Sequence, residues 1–316
     1  MIAIIAPDAE KTVNDVIDWL SYWQKKYARI NQIKDATIQI EINDFVINEG
    51  NFKFNKKDIA SFWNRKGDFA IHISNQFVEK EHEKKVMGYL SNEWQILRNF
   101  LVQQLEQKKH LGNFFLQIPN KLNHLYLAQQ AGLAIPKTII SNEKIAIKDF
   151  ENKSSNIINK SLRDSFTGTF NQIYYYNHTE RVNNEMIDGL NDTFFPSLFQ
   201  EEIQKAYELR IVFVHETLWT MAIFSQNDIK TEVDWRNYNY EKPNRKIPYK
   251  LPNEIAGNIK TFIRASGLNT GAIDMVVTKD REYVFLECNP NGQISMVSEN
   301  CNYFIERSIA NYLSTP

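Results

Sequence analysis

The sequence is poor in cysteine, lacks an excess of charge of one sign and has no long apolar run. Its 316 residues include two cysteines, Cys288 and Cys301, which form no metal-type pair and fit a reducing cytosol better than a disulfide-stapled scaffold. The formal net charge is −1, without a Lys/Arg block, which argues against a protein whose main task is to bind nucleic acid. No stretch approaches the roughly 18 apolar residues of a membrane helix, and residues 1–10 do not resemble a signal peptide. We therefore expect a soluble, cytoplasmic protein with no membrane partner; a disulfide between the two cysteines stays open.

What the sequence does contain is enough apolar material for a large core. Apolar residues make up 43% of the chain, which is long enough for about two domains. The first third alternates strand-like runs with helical spacing, which predicts an N-terminal α/β domain over residues 1–115. Its expected elements are a strand at 1–6, a helix at 12–27, strands at 37–42, 45–47 and 69–73, and a helix at 77–109.

The rest of the chain predicts a second mixed α/β region that we divide into residues 116–198 and 199–316. A helix from residue 118 should end at Gly132, and another near residues 255–263 should end at Gly267. Residues 227–250 are polar and contain proline, which indicates a long loop or lid. The expected strands are 157–160, 170–176, 195–203, 209–214, 218–224, 272–277 and 283–288, and a last helix should cover 295–313.

The most informative feature is the predicted hairpin at residues 272–289. If its turn centres between Asp280 and Arg281, Asp274 faces Glu287. Glu287 and Asn289 then share a face, while Leu286 and Cys288 point into the core. Like charges directly opposite each other destabilise a sheet, so the pair requires a cation, and oxygen ligands suit Mg²⁺. A solvated hairpin with ordinary acidic residues is the alternative.

Other polar elements precede this hairpin, and each has an ordinary structural alternative. Lys160 ends an apolar strand before a Ser/Thr/Gly loop, where an ammonium suits phosphate, although many strand-end lysines are only solvated. Residues 199–203 (FQEEI) could act as a hinge whose backbone reads an adenine edge. Glu208 and Arg210 share one strand face. Glu208 could accept ribose hydroxyls and Arg210 could bind phosphate or carboxylate; the alternative is a surface ion pair. Arg236, in Asp234-Trp235-Arg236, could reach a phosphate from the loop.

The order of these elements resembles the ATP-grasp superfamily. It runs Lys160, QEEI (200–203), KAYELR (205–210), VDWR (233–236), GAIDMVV (271–277) and YVFLECNPNGQ (283–293). The sequence is most similar to the graspetide (microviridin-type) peptide ligases, and residues 12–20 resemble the grasp-with-spasm and chryseoviridin-type branch. The motif resemblance covers residues 118–313 well and the N-terminal third more thinly. It implies an ATP-grasp fold in which two subdomains after an N-terminal domain sandwich ATP.

The resemblance also implies roles for matching residues. Asp274, Glu287 and Asn289 would hold Mg²⁺, and Arg210 and Arg236 would be catalytic, near the γ-phosphate and the acyl group. Many ATP-grasp ligases have an arginine two residues before the first metal aspartate, where this chain has Ala272, so the division of labour between these two arginines stays open. The residues implied for ATP are Lys121, Lys160, Gln200, Glu201, Ile203, Glu208 and Arg210.

The implied reaction is phosphorylation of a carboxylate by ATP, followed by displacement of phosphate from the acyl phosphate by a nucleophile. In graspetide ligases a precursor peptide, leader plus core, supplies an Asp or Glu carboxylate and a Ser, Thr or Lys nucleophile, which gives an ω-ester or an ω-amide. The resemblance favours the ester and suggests a homodimer. Two alternatives stay open: a ligase acting on a free amino acid or small amine, and a peptide-binding module without activity.

Overall fold

The computed structural model describes residues 1–30, 32–33, 36–49, 52–72, 79–154, 156–163, 167–176, 179–226, 241 and 243–315. Contacts divide the chain into two compact units. The first comprises Met1–Gln117, Gln293–Glu299 and Tyr303–Pro316, and the second comprises Ile118–Gly292 and Asn300–Asn302. The division into three domains at residues 115 and 198 stays a prediction.

The first unit begins with alternating strands and helices. In chain order its elements up to residue 111 are β1 (Ile2–Ile5), α1 (Lys11–Tyr22), β2 (Tyr27–Ile30), β3 (Gln32–Ile33), β4 (Ala36–Glu41), β5 (Asp44–Glu49), β6 (Phe52–Asn55), β7 (Ser61–Asn64), β8 (Ala70–Ile71), α2 (Glu83–Glu106) and β9 (Lys109–Leu111).

The second unit contains most of the antiparallel structure. Its elements are α3 (Lys121–Gln130), β10 (Thr138–Glu143), α4 (Lys144–Asn152), β11 (Ile157–Lys160), β12 (Thr167–Phe170), β13 (Ile173–Tyr176), β14 (Glu180–Val182), α5 (Asn184–Asp188), β15 (Thr193–Glu201), β16 (Lys205–Val214), β17 (Thr217–Phe224), β18 (Arg245–Tyr249), α6 (Asn253–Ser266), β19 (Thr270–Thr278) and β20 (Tyr283–Asn289). Two helices follow in the chain, α7 (Ser295–Cys301) and α8 (Ile305–Ser314).

The first unit is built on a parallel sheet in the order β2-β1-β7-β9. One face packs against the end of α2, where Leu101, Val102 and Leu105 are buried in the core of this unit. Strands β4-β5-β6 form an antiparallel meander, and β3 pairs with β8. The α/β character predicted for the first third of the sequence is confirmed.

Three helix predictions need correction, and the first is α2, which begins at Glu83 and ends at Glu106 where a helix over 77–109 was predicted. Helix α1 ends at Tyr22 instead of residue 27, because Gln24 adopts a left-handed conformation (φ 54°) that cannot continue the helix. The single C-terminal helix predicted at 295–313 is wrong. It is divided into α7 and α8 because Asn302 and Phe304 have φ of 53° and 52°.

The second unit contains two antiparallel sheets, in the orders β10-β15-β11-β14 and β18-β17-β16-β19-β20. One face of the five-stranded sheet forms a core with residues of α3 and α6, including Leu125 and Phe262. The predicted helix stops are confirmed, since Gly132 and Gly267 have φ of 81° and 71° just after these helices.

Two predictions in this unit need correction. Residues 170–176 are not one strand: β12 and β13 form a hairpin whose turn residues, Asn171 and Gln172, both have positive φ. Residues 227–250 are not all loop, because Arg245–Tyr249 pairs with β17 as the edge strand β18. Residues 227–240 and 242 lie outside the described residues. None of the helices in the described part combines the length and apolarity that a membrane crossing requires.

Candidate active site

The predicted pairing of Asp274 with Glu287 is confirmed, and a β-bulge produces it. Near the turn Val277 pairs with Tyr283, but at the site Asp274 pairs with Glu287 and Ala272 with Asn289. The register shifts between Asp274 and Met275, where Leu286 is the extra residue. A bulge re-aims the side chains that follow it. Without this one, Glu287 would lie on the opposite face of the sheet from Asp274.

The bulge also changes which side chains of β20 enter the core. Phe285 and Cys288 are both buried in the core of the second unit, although they are three residues apart. Leu286 is only partly buried, so its predicted core position is wrong. Cys288 and Cys301 are free thiols. Burial raises the pKa of the Cys288 thiol far above its ordinary value, which fits the structural role that its position indicates.

Arg210 extends the Asp274–Glu287 pair to a third strand and forms a row of side chains with it. It lies opposite Asp274 on the neighbouring strand β16, and its Nη1 donates to Asp274 Oδ2 over 2.6 Å. Arg210 is 7% exposed. The row Arg210, Asp274 and Glu287 therefore crosses three adjacent strands on the face opposite the core.

Gly292 fits closely against this row. A Cβ atom on Gly292 would lie 2.4 Å from the Cβ of Ala272 and 3.0 Å from Nη2 of Arg210. The segment after Asn289 can therefore approach β19 only because residue 292 has no side chain. Asn289 helps to shape this segment, because its Oδ1 accepts the backbone N–H of Asn291 at 2.9 Å.

Lys121 is the first residue of α3 and reaches the other end of the row. Its Nζ lies 3.4 Å from Glu287 Oε2 and donates to the carbonyl oxygen of Ser161 at 3.1 Å. Ser161 directly follows Lys160, the last residue of β11, so both predicted phosphate lysines are at one end of that strand. The facing carboxylates thus have two protein cations, Arg210 and Lys121, where the sequence suggested only a metal.

The oxygen donors of the row fit a hard divalent cation. Asp274 and Glu287 supply carboxylates, and the amide oxygen of Asn289 keeps a second lone pair beside its bond to Asn291. Mg²⁺ is usually held by one or two carboxylates and completes its shell with water or phosphate oxygens. Within the described ranges, no group of three His, Cys, Asp or Glu side chains could hold a metal.

The segment predicted to contact adenine covers the end of β15 and the two residues after it, and the side chains of Gln200 and Glu201 are bonded within the protein. Gln200 donates from Nε2 to Thr138 Oγ1 at 3.0 Å. Glu201 accepts the backbone N–H of Lys137 at 3.1 Å and pairs with its Nζ at 3.0 Å. The backbone N–H of Ile203 makes no hydrogen bond to the described residues. The backbone N–H groups of Glu201 and Glu202 are bonded to Lys137 and Asn156, so only that of Ile203 is open to a base, and the hinge stays a prediction.

Glu202 was missed by sequence reasoning. Its carboxylate forms a bidentate ion pair with Arg181 of β14, with Nε–Oε2 and Nη2–Oε1 distances of 2.8 and 2.7 Å. The ion pair connects the residue after β15 to β14, the edge strand of the same sheet. The signal in the sequence was weak, because nothing connects Arg181 to position 202 before the strand order is known.

Glu208 is buried and does not form the surface ion pair that was one alternative. It shares a face of β16 with Arg210, but it accepts hydrogen bonds from Lys205 Nζ at 2.6 Å and Ser225 Oγ at 2.8 Å. Burial raises its pKa from 4.5 to about 6, against the opposing attraction of Lys205. The partners Lys205 and Ser225 were not predicted as site residues.

The raised pKa of Glu208 predicts a pH dependence of stability. The folded chain binds this proton more tightly than the unfolded chain, so the contribution is complete below pH 4.5 and is lost as the pH rises through about 6. The free energy of unfolding of the wild type, relative to Glu208→Gln, should fall by about 2 kcal/mol across this window. Denaturant titrations at several pH values measure this difference in the free energy of unfolding. The difference between the wild type and Glu282→Gln, a change at an exposed turn position, should not vary with pH. An equal pH dependence of the two differences would contradict the assignment to Glu208.

The remaining predicted residue, Arg236, lies outside the described residues together with Asp234 and Trp235. Strand β18 brings another lysine to the site face. Lys246 lies opposite Ile223 of β17, which lies opposite Glu208. Burial lowers the pKa of Lys246. Sequence reasoning missed Lys246 because residues 227–250 were interpreted as a loop.

Comparison with known proteins gives no matching family model and no matching curated protein. Solved structures do match over the full length. The macrocyclase MdnC of Microcystis aeruginosa MRC, bound with precursor peptide MdnA, is 27% identical with a TM-score of 0.78, over 99% of this chain and 98% of its own. A Chryseobacterium gregarium RiPP-associated ATP-grasp ligase, in complex with ADP and a leader and core peptide, is 24% identical with a TM-score of 0.83, over 100% and 97%.

A third structure extends the likeness to lower identity. The ATP-grasp ligase PsnB, complexed with a phosphomimetic variant of its minimal precursor, Mg and ADP, is 14% identical with a TM-score of 0.73, over 99% and 97%. At these identities the second and third likenesses establish the fold. The chain therefore has the ATP-grasp fold over its whole length and resembles the graspetide-type peptide ligases, as its motifs predicted.

Proposed function

We propose that this protein is an ATP-dependent peptide macrocyclase that forms ω-ester links between Asp or Glu carboxylates and Ser or Thr hydroxyls of a ribosomal precursor peptide. The observation that carries the proposal is the row Arg210, Asp274 and Glu287, completed by Lys121. The likeness of the chain to a peptide macrocyclase over nearly its whole length supports the same function.

The cofactors of the proposed reaction are ATP and Mg²⁺. Asp274, Glu287 and Asn289 would hold Mg²⁺, which supplies charge neutralisation for the triphosphate. Lys160, at the end of β11, and Lys121, whose Nζ reaches Ser161 from the start of α3, would bind phosphate oxygens. Gln200, Glu201 and Ile203 would frame the adenine, chiefly through the backbone, and Glu208 would accept a ribose hydroxyl.

The residues around the row can also be assigned to the transfer step. The γ-phosphoryl group passes to the peptide carboxylate and ADP leaves; the hydroxyl then attacks the acyl carbon, phosphate leaves, and one ester forms with net loss of water from the peptide. A buried, fixed guanidinium stabilises charge that develops in such transfers. Arg210 meets this description, and Arg236 would assist it from the segment 227–240.

The peptide would need a surface outside this centre. Hairpin β12–β13 exposes Phe170, Ile173 and Tyr174 by 57%, 56% and 62%. The two-stranded sheet of this hairpin leaves these three side chains in solvent. We propose this hairpin as a contact for the leader segment. We further propose that the enzyme is a cytoplasmic homodimer.

The direct test is incubation with ATP, Mg²⁺ and the precursor peptide encoded beside the gene. We expect the peptide to lose the mass of one water for each ring, with equimolar phosphate release. Mild alkaline hydrolysis should restore the original mass if the link is an ester, and an amide would resist it. No mass loss would contradict the proposal. Phosphate release stimulated by free amino acids without peptide would instead favour a small-molecule ligase.

A further inference from the structure

His124 is a buried polar side chain to which the proposed reaction gives no role. It lies on α3, one turn after Lys121, and is 7% exposed. Its Nδ1 is 3.2 Å from the carbonyl oxygen of Cys288 on β20. Because a carbonyl oxygen can only accept, Nδ1 carries the proton and donates it. The ring also packs at 86° against the ring of Phe262 on α6, so its orientation is fixed from two sides.

The acceptor of this bond is a backbone group between two proposed metal ligands. Cys288 separates Glu287 from Asn289, and its carbonyl group belongs to the same planar peptide unit as the N–H of Asn289. Fixing the carbonyl oxygen therefore fixes the plane from which Asn289 continues. The other side of Asn289 is held by the bond from the N–H of Asn291 to its Oδ1. The His124 bond thus acts on the backbone that directs both ligand side chains.

A second bond from the same region holds the other side of the bulge. Among the described residues, β20 lies at the edge of the five-stranded sheet. Shortly after α3, the carbonyl oxygen of Ala134 accepts the backbone N–H of Phe285 at 2.8 Å. The His124 bond follows three residues later, so the two bonds lie on either side of Leu286, the extra residue of the bulge. Together they hold the bulge that brings the two carboxylates face to face.

We propose that His124 is a positioning residue for Mg²⁺, because its N–H fixes the bulged end of β20 so that Glu287 and Asn289 meet the metal together. The same helix presents Lys121, whose Nζ is 3.4 Å from Glu287 Oε2. Helix α3 therefore sets the positions of a proposed phosphate cation and of the metal ligands as one rigid element. This role rests on the metal site of the proposed function and adds a residue that supports it.

Three substitutions separate the donor of His124 from its packing. His124→Phe keeps a ring but removes the N–H. His124→Asn places an amide N–H near the position of Nδ1, and His124→Gln carries its amide one carbon further along the side chain. Outer partners of metal ligands contribute about 10–100-fold to metal affinity, and we expect a loss of this size in His124→Phe and His124→Gln. His124→Asn should recover most of the affinity although the cavity that it leaves lowers its melting temperature below that of His124→Phe.

Calorimetric titration of the full-length protein with Mg²⁺ at saturating ADP measures the affinity, and thermal melting measures the stability of each variant. Tyr126→Phe, at a position of α3 that is 60% exposed, is the control and should match the wild type in both. In the cyclisation assay His124→Phe should raise the Mg²⁺ concentration that gives half the maximal rate, while KM for the precursor peptide stays unchanged.

Wild-type Mg²⁺ affinity in His124→Phe would overturn the proposal, as would an affinity of His124→Asn no better than that of His124→Gln. The second comparison decides the question even if His124→Phe does not fold. Affinities that follow the melting temperatures would assign His124 to core packing alone. A wild type that does not bind Mg²⁺ with ADP would overturn this role together with the metal site. Binding without cyclisation would contradict only the proposed function, since the titration contains no peptide.

Discussion

Replacing Glu287 by alanine should lower kcat/KM for peptide cyclisation by more than about 100-fold. Residues that only support a metal ligand typically contribute 10–100-fold, and Glu287 is proposed as a ligand itself. The substitution also leaves Lys121 without its carboxylate at 3.4 Å. Phosphate release and peptide mass, each measured with saturating ATP, report the loss.

A matched glutamate on the same hairpin provides the control. Glu282 lies in the exposed turn between β19 and β20, and Glu282→Ala should keep wild-type turnover. A second readout is independent of turnover: Mg²⁺ with ADP should raise the melting temperature of the wild type and of Glu282→Ala, but raise that of Glu287→Ala much less. Unchanged cyclisation by Glu287→Ala would remove Glu287 from the proposed metal site.

The sequence predicted which residues of the hairpin face each other, but not the geometry that produces this pairing. Asp274, Glu287 and Asn289 were found from alternation along two strands, and their pairing is confirmed. The assumed turn, however, was one position out, and the bulge at Leu286 compensates for it. A bulge depends on how both strands pack on the core, so period-two alternation along one strand cannot reveal it.

Contacts between distant segments could not be predicted at all. Arg210 was identified as a polar residue on the face of a strand, but its partner Asp274 follows from the strand order β16-β19, which local patterns do not specify. The same applies to Lys121, whose contact with Glu287 joins a helix start to a strand end. Edge strand β18 was missed because its proline and charged residues are typical of loops as well as of sheet edges.

Removing the guanidinium of Arg210 should destabilise the protein more than any other single change in the site. Arg210 and Asp274 form a 2.6 Å pair in which the side chains are 9% and 14% exposed. In Arg210→Met the carboxylate of Asp274 stays buried beside Glu287 without this partner, which typically costs about 3–5 kcal/mol. We expect a large fall in melting temperature without ligands, and loss of cyclisation.

The control for this prediction is an ion pair of the same length in solvent. Arg264 and Glu216 are also 2.6 Å apart, but their side chains are 58% and 49% exposed, so Arg264→Met should cost less than about 1 kcal/mol. Mg²⁺ with ATP should restore part of the stability of Arg210→Met, because a divalent cation replaces the missing positive charge at Asp274, whereas cyclisation should stay lost. Equal destabilisation by the two substitutions would show that Asp274 does not depend on Arg210. Recovery of cyclisation together with stability would show that Arg210 only neutralises Asp274 and takes no part in the transfer.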